Sequence, residues 1–202
     1  EIFFDSYKFA DSFEKTIESL ESPTTHFGCV LLYELCKVIS KTNKVVLTGE
    51  GADEIFGGYS RYIDFRKILL MKKISTFMPN QLINRIPKLR FLENYKLKNS
   101  FKQLITFRVF DIFEDIFHEF SPNYEKIEEL VAHFSKPRDK LAIYDQKIYL
   151  ESLLVRQDKV SMAHGVESRV PFVDVPLIVS MNSFPEDKRY HNKITKHVLK
   201  KI

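Results

Sequence analysis

Three carboxylates, on Glu50, Asp53 and Glu54, lie in one short window of the sequence that also holds most of the chain's 6 glycines. The glycines of this window are Gly49, Gly51, Gly57 and Gly58. Glycine lets a backbone approach a phosphate or a base closely and adopt positive φ. Bare carboxylates repel phosphates, but Mg²⁺ takes one or two carboxylates together with phosphate oxygens as ligands. The window therefore indicates chemistry on a metal-bound polyphosphate.

A plainer interpretation of the same window is a tight turn from a strand into a helix. In that case the acids only cap and solvate the start of the helix. The spacing of the glycines does not decide between the two interpretations. It matches neither GxxxxGKS nor GxGxxG, so the mechanisms of the P-loop and of the Rossmann fingerprint do not apply.

Longer motifs favour the interpretation with chemistry. Residues 48–62, TGEGADEIFGGYSRY, resemble the SGEGxDExFGGYxRY signature of the asparagine synthetase family, glutamine-hydrolysing type. Residues 156–174, RQDKVSMAHGVESRVPFVD, are similar to the R(x)D(R/K)xSMAxxxExRxPFLD stretch of that family. Residues 193–200, KITKHVLK, resemble its terminal GKxxKxxLR helix. The three segments follow the family's order, whereas residues 63–151 carry no matching motif.

The resemblance implies a ligase that uses ATP and Mg²⁺. Members of the family transfer AMP onto a carboxylate, which in the namesake enzymes belongs to the aspartate side chain. Ammonia released from glutamine in a separate N-terminal domain then attacks the acyl-adenylate. The expected partners are therefore ATP, aspartate or another carboxylate, ammonia from glutamine, and an upstream glutaminase domain.

The resemblance also implies individual roles for residues of the glycine window. Glu50 matches the catalytic glutamate that forms and uses the adenylate. Thr48, Gly49 and Gly51 match positions that contact ATP, and Thr48 keeps the hydroxyl of the more usual serine. Asp53 falls at an acidic position associated with the metal and the pyrophosphate.

Two lysines near the end of the chain receive roles from the same resemblance. Lys196 matches the lysine that faces the pyrophosphate, and Lys193 is a neighbouring candidate for cofactor binding. A lysine suits this task as a point charge on a long flexible stem. Charge pattern alone would make both lysines a solvated basic face. Glu167 and Arg169 are expected to form a structural ion pair.

Two parts of the family pattern, the SGGxDSS loop and the N-terminal cysteine nucleophile, are not found in the 202 residues. We therefore expect residues 1–202 to be the C-terminal portion of one ligase domain, with both parts upstream of Glu1. Alone, the chain should neither adenylate aspartate nor hydrolyse glutamine. Two alternatives stay open: a same-family amidotransferase or cyclase acting on a sugar uronic acid or in β-lactam synthesis, and a binding module without turnover.

The elements that position these residues follow from hydrophobic periodicity. The β-branched run at residues 44–48 predicts a buried strand of a parallel sheet that helices cover on both faces. Ligands bind at the carboxyl ends of such strands. The expected fold is a helix-rich α/β structure with a partial parallel sheet, and the resemblance implies the adenine-nucleotide α-hydrolase type, also called the PP-loop ATPase type.

Apolar spacing predicts helices along most of the remaining chain. Asp11 and Glu14 resemble a capping box for a helix that ends at Leu20. Thr24 or Thr25 caps the next helix, whose predicted apolar face carries Phe27, Val30, Leu31, Leu35 and Val38. Helical spacing recurs at residues 113–120, at 127–134, from 137 to a stop at Gly165, and in a short helix that ends at Met181.

Composition excludes several classes of protein. A hydrophobic content of 44% with 29% charge is typical of a soluble globular domain, and a net charge of +4 is too mild to argue for nucleic acid or an anionic membrane. No apolar run approaches the roughly 20 residues that span a bilayer. Cys29 and Cys36 lie in an apolar helical stretch, so we expect buried thiols and a cytoplasmic location. An uncovered sheet edge would favour self-association, with a homodimer as the simplest form.

Overall fold

The structure is a computed structural model, and the residues that it describes are 6–24, 26–63, 70, 73–86, 124–191 and 193–202. The chain divides into two compact units, each made of two stretches. The first unit comprises Glu1–Gly51 and Ile148–Ile178, and the second comprises Ala52–Lys147 and Val179–Ile202. Thr25 and the helix predicted at residues 113–120 lie outside the described residues.

Helices dominate the described chain. In chain order the elements are α1 (Ser6–Leu20), α2 (Gly28–Ile39), β1 (Val45–Leu47), α3 (Ala52–Phe56), α4 (Ser60–Ile63), α5 (Asn80–Arg85), α6 (Tyr124–Val131), α7 (Pro137–Tyr144), a π-helical segment (Asp145–Tyr149), α8 (Leu150–Met162), β2 (Glu167–Arg169), α9 (Val175–Ser183), α10 (Glu186–Arg189) and a 3-10 turn (Leu199–Lys201). One more helical turn spans residues 73–77. None of the described helices combines the length and the apolar composition that a bilayer crossing requires.

The core of the first unit forms where α1, α2 and α8 contact one another. Leu20, Cys29 and Val160 are buried together there, with one side chain from each helix or its end. Cys29 and Cys36 are both free and buried, which confirms the prediction of buried thiols. Burial raises the pKa of each thiol because a thiolate loses its hydration in an apolar setting.

The start of α1 differs from the sequence prediction. The helix begins at Ser6, so Asp11 lies inside it rather than at its N-cap. The Lys15 ammonium donates to the Asp11 carboxylate at 2.9 Å, one helical turn away. The predicted capping box was therefore wrong, because a pair of opposite charges four residues apart takes up the carboxylate instead.

The buried face of α2 also differs from the prediction. Val30 is buried, but Leu31, Leu35 and Val38 are each more than 40% exposed. The side that packs inward carries Glu34, whose carboxylate accepts a hydrogen bond from the Ser12 hydroxyl at 2.8 Å. The buried face of α2 thus includes a hydrogen-bonded carboxylate, whereas apolar spacing alone predicted that leucines would be buried there.

The sheet of the described chain has two parallel strands, β1 and β2, with Val46 opposite Ser168. Backbone pairing extends over the predicted range, since Glu167 N–H donates to Lys44 O at 2.8 Å and Thr48 N–H donates to Arg169 O at 2.9 Å. This confirms a helix-rich α/β fold with a small parallel sheet. The expected full burial of β1 was wrong.

The exposed face of β1 shows why that expectation failed. Val45 and Leu47 point to one face and are 40% and 73% exposed. Among the described residues β1 pairs with a single neighbouring strand, so its other edge is open. An apolar strand sequence predicts that a strand forms, but the number of its neighbours decides how much of it is covered.

The helical pattern predicted after Pro137 is confirmed as α7, the π-helical segment and α8. Gly165 ends it with φ of 64°, which is the left-handed conformation expected of a glycine at a helix end. The short helix through Met181 is confirmed as α9. The terminal motif is not a continuous helix, because residues 195–198 form turns before the 3-10 turn.

Candidate functional site

The predicted site residues fall into two groups, one in each compact unit. The strand-end group comprises Thr48, Gly49, Glu50 and Gly51, which belong to the first unit. The glycine-pair group comprises Asp53, Gly57, Gly58 and Lys196, which belong to the second unit. Each group is built by different local contacts.

The strand-end group begins where the β1 ladder ends. The Thr48 N–H closes the last backbone hydrogen bond of the ladder, and its hydroxyl accepts from the Gln157 side-chain amide at 2.8 Å. A hydroxyl has one donor in addition to its acceptor sites, so this contact leaves the Thr48 proton available. Gln157 is buried and fixes the orientation of the threonine.

The turn after Thr48 provides an open backbone. A Cβ built on Gly49 would meet no other atom of the described chain within 4 Å, so the space on that side of the turn is open. Gly51 is buried and has φ of 86°, a conformation that a residue with a side chain rarely adopts. The carboxylate between these glycines belongs to Glu50, which is half-buried. Its charge adds to the effect of burial in raising the pKa of the Cys29 thiol.

The glycine-pair group brings together two predicted residues that are far apart in sequence. Lys196 Nζ lies 3.1 Å from Asp53 Oδ1, with the two side chains 28% and 39% exposed. Asp53 lies in α3, in the first glycine motif, and Lys196 lies in the terminal motif. The two motifs therefore meet in the described structure.

The Gly57-Gly58 pair makes this meeting sterically feasible. A Cβ on Gly58 would lie 1.6 Å from Asp53 Oδ1 and 2.7 Å from Lys196 Cε. Gly57 has φ of 67°, and its Cβ would lie 2.7 Å from the ring of Tyr190. Both positions need the absence of a side chain, because real Cβ atoms do not approach other heavy atoms this closely.

Lys193 is not part of this contact. Its side chain is exposed, and its backbone N–H donates to His191 Nδ1 at 3.2 Å. Within the described ranges no ion pair joins Lys193 to Asp53. Of the two lysines predicted from the terminal motif, the structure thus brings Lys196 alone to the aspartate.

Glu54 corrects the expectation that three carboxylates are presented together. Its side chain is 1% exposed and accepts a hydrogen bond from the Tyr59 hydroxyl. Burial raises the pKa of this carboxyl, since the charged form loses hydration. No group of three or more metal-ligating side chains occurs in the part of the chain that the structure describes.

A buried polar network, missed by sequence reasoning, surrounds Tyr62 in the second unit. Asp145 is fully buried in the π-helical segment and accepts hydrogen bonds from Arg61 and, at 2.6 Å, from the Tyr62 hydroxyl. Burial raises the pKa of Asp145, against the opposing charge of Arg61. The Tyr62 ring stacks on Tyr190 at 4.9 Å. Tyr59, Arg61 and Tyr62 of the first motif therefore build the packing behind the glycine pair.

The remaining predicted pair is present but peripheral. Arg169 Nε donates to Glu167 Oε1 at 2.8 Å, which confirms the expected ion pair. Both side chains are more than half exposed, so the pair adds little stability. Glu167 and Arg169 instead matter through their backbones, which form β2.

Comparison with known proteins gives a consistent result. The sequence model of the family described as Asparagine synthase matches residues 1–202. Asparagine synthetase [glutamine-hydrolyzing] 1 of Bacillus subtilis is 22% identical over 96% of the chain and 33% of its own length. A putative asparagine synthetase [glutamine-hydrolyzing] of Mycobacterium tuberculosis is 24% identical over 96% of the chain and 32% of its own length.

A further relative, asparagine synthetase [glutamine-hydrolyzing] 3 of Bacillus subtilis, is 26% identical over 82% of the chain and 24% of its own length. No solved structure matches the chain. The chain spans about a third of the length of the first two relatives, and its whole length matches the family. The chain therefore belongs to the asparagine synthase family.

Proposed function

We propose that the chain is the C-terminal portion of the ligase domain of a glutamine-dependent asparagine synthetase. In this reaction the aspartate side-chain carboxylate attacks the α-phosphorus of ATP, and pyrophosphate leaves. Ammonia then attacks the aspartyl-adenylate, forming the amide and releasing AMP. Relatives three times as long, named as glutamine-hydrolyzing, support a glutaminase domain elsewhere in the polypeptide as the source of ammonia.

The contact between Asp53 and Lys196 is the observation that carries this proposal. The two residues were assigned to metal and pyrophosphate from two separate motifs, and their charged atoms lie 3.1 Å apart. A chance resemblance of either motif would not require such a meeting. Pyrophosphate is a highly anionic leaving group, and a carboxylate that holds a metal beside an ammonium stabilises its departure.

Mg²⁺ fits the residues of this group in one particular way. Asp53 offers one partly exposed carboxylate, while Glu54 is buried and bonded to Tyr59. Mg²⁺ commonly keeps several waters and binds through one or two carboxylates plus substrate phosphates. Asp53 would therefore hold a metal that arrives with the phosphates of ATP, and the metal would neutralise charge on the leaving pyrophosphate.

The strand-end group supplies the proposed contacts with the nucleotide and the acyl group. Gly49 offers an open backbone, and the Thr48 hydroxyl retains a donor for an ATP oxygen. Glu50 is proposed to form and use the adenylate. Lys193, which is exposed, is proposed as a secondary phosphate contact.

The test is carboxylate-dependent release of pyrophosphate from ATP by the polypeptide that carries this chain together with its ligase and glutaminase parts. Aspartate should support release, and Glu50→Gln should reduce the rate at least tenfold while ATP binding is kept. Glu54→Gln is the matched control, because it makes the same change four residues further on, at a buried carboxyl. This variant should retain most of the turnover.

Three results would count against the proposal. Unchanged turnover in Glu50→Gln would discard the role given to that residue. Pyrophosphate release that depends on a sugar uronic acid or another carboxylate, but not on aspartate, would replace the acceptor. Absence of pyrophosphate release with every carboxylate tested would favour a binding module.

A further inference from the structure

The Asp53 carboxylate, the proposed ligand of the metal, already has a cation beside it. Lys196 Nζ lies 3.1 Å from Oδ1, which is an ion-pair distance. Both side chains are partly exposed, so a ligand can reach the pair from solvent. A metal that binds to Asp53 must share this carboxylate with the ammonium or displace it.

The pair is held in place by backbone contacts on both sides. Gly58 N–H donates to Asp53 O at 2.8 Å, and Lys196 N–H donates to Gly57 O at 3.3 Å. Gly58 leaves no space for a side chain beside the pair, since an added Cβ would lie 1.6 Å from Asp53 Oδ1 and 2.7 Å from Lys196 Cε. The ion pair is therefore part of the packing of this region and not a loose contact between two long surface side chains.

The backbone of Lys196 adds an independent sign. Its φ is 51°, in the left-handed region that residues other than glycine rarely adopt. Strained conformations of this kind persist only where the surrounding contacts over-determine them, and they cluster at functional sites. The residue in this conformation is the one whose ammonium lies beside Asp53.

We propose that Lys196 acts as a resident counter-cation of Asp53, which it leaves when a polyphosphate binds, so that divalent metal and polyphosphate bind interdependently. This inference rests on the proposed function, because it takes Asp53 as the metal ligand and a polyphosphate as the ligand of Lys196. It adds a difference in affinity: the protein binds the metal–polyphosphate complex more tightly than the metal alone.

The physical reason is competition for one carboxylate. Without a polyphosphate, a divalent cation at Asp53 meets the positive charge of Lys196 and must also break the ion pair. A polyphosphate gives the ammonium a new acceptor and gives the metal further oxygen ligands. Coupling between two ligands is reciprocal, so each must raise the affinity for the other by the same factor.

The experiment measures binding of Mn²⁺, as a stand-in for Mg²⁺, from the signal of free Mn²⁺ in electron paramagnetic resonance. Titrations are run with and without inorganic pyrophosphate and are corrected for the Mn²⁺–pyrophosphate complex that forms in solution. For the unmodified protein we expect weak binding of Mn²⁺ alone and an increase of roughly 5- to 150-fold with pyrophosphate.

Lys196→Met keeps much of the side-chain length and removes the charge. It should bind Mn²⁺ alone at least fivefold more tightly than the unmodified protein, and the effect of pyrophosphate should fall towards onefold. Lys201→Met is the matched control, since it removes an exposed lysine of the 3-10 turn that has no ion pair with Asp53 in the described chain. It should leave both quantities unchanged. Lys196→Gln provides a second variant should the methionine disturb the fold.

The outcomes separate the inference from the proposed function. Equal affinity for Mn²⁺ alone in the unmodified protein and in Lys196→Met would overturn the inference, and so would equal shifts in Lys201→Met and Lys196→Met. If the inference fails in this way but Asp53→Asn still loses the binding of Mn²⁺, the metal role of Asp53 stands. Binding of neither Mn²⁺ nor pyrophosphate by any variant would overturn the metal and pyrophosphate roles as well.

Discussion

Gly49 and Gly58 belong to the same motif, yet their surroundings are opposite. A side chain added at Gly49 would enter open space, whereas one added at Gly58 would overlap Asp53 and Lys196. Two carboxylates of the motif also differ in exposure: Glu50 is half-buried, and Glu54 is 1% exposed. One glycine thus leaves room for a ligand, and the other leaves room for the protein itself.

This difference teaches that one motif can serve two purposes. The strand-end group leaves its backbone and hydroxyl open at the end of β1, as a site that receives a ligand must. The glycine-pair group is filled by the protein's own side chains and is backed by buried hydrogen bonds to Asp145. Substitutions at Gly57, at Gly58 and at the buried residues behind them should therefore act mainly on stability, and those in the strand-end group mainly on binding.

The largest expected effect in this comparison is that of Asp145→Ala. The substitution leaves the Arg61 guanidinium, 11% exposed, and the buried Tyr62 hydroxyl without their acceptor. Removing one partner of a buried pair costs about 3–5 kcal/mol of the free energy of unfolding. Gln157→Leu, which removes the hydrogen bond to Thr48, should cost about 0.5–1.5 kcal/mol.

Urea denaturation followed by circular dichroism measures both values. Asp145→Asn serves as a control, because it keeps the shape of the side chain and should cost less than the alanine. Similar losses for Asp145→Ala and Gln157→Leu would remove the distinction between the two groups.

Gly58→Ala should have the next largest effect. Its Cβ forces Asp53 out of position, and overpacking of this kind costs about 1–3 kcal/mol. Gly49→Ala is the matched substitution and should change the free energy of unfolding by no more than about 0.5 kcal/mol.

A double substitution sharpens this test. In an Asp53→Ala background the atoms at 1.6 and 2.6 Å from the new Cβ are gone, so the cost of Gly58→Ala should fall by half or more. The comparison is broken if Gly58→Ala costs no more than Gly49→Ala, or if its cost is the same in both backgrounds.

The smallest expected effect is a pH dependence that arises from Glu54. Burial raises its pKa in the folded protein above the ordinary value of 4.5. The folded state then keeps a proton that the unfolded chain releases, so the contribution to stability is complete below about pH 4.5 and is lost as pH rises through the folded pKa. Glu54→Gln should therefore reduce the fall of the unfolding free energy above that pH.

Tyr59→Phe should act in the opposite sense. The Tyr59 hydroxyl favours the charged form of Glu54, so its removal raises the pKa further and extends the falling region to higher pH. Urea titrations between pH 4 and 7 compare the three proteins. An unchanged slope in both variants would show that Glu54 does not titrate differently in the folded and unfolded states.

The sequence was most informative where local backbone preference or residue type alone determines the structure. The β-branched run at residues 44–48 predicted β1 within one residue at each end, and Gly165 predicted the end of α8. The motifs named Asp53 and Lys196, which do lie in contact. These predictions depend on local conformational preference or on residue type, and both can be read from a single chain.

The sequence was least informative where long-range packing decides. Glu167-Ser168-Arg169 has no apolar alternation, and its strand forms because its backbone pairs with β1. Glu54 was expected to be presented at the site, since carboxylates are usually exposed. Its burial depends on the Tyr59 hydroxyl, a contact that spacing could not predict. Two adjacent glycines in a chain with so few are a sequence signal that could have identified Gly58 as a position of close packing.

The two cysteines give the first unit a built-in reporter of its own opening. They are the only thiols among the 202 residues, and both are buried in α2. A thiol reagent can modify them only during excursions in which α2 separates from its neighbours, so the labelling rate counts those excursions. The same reaction does not detect openings confined to the second unit, which has no cysteine.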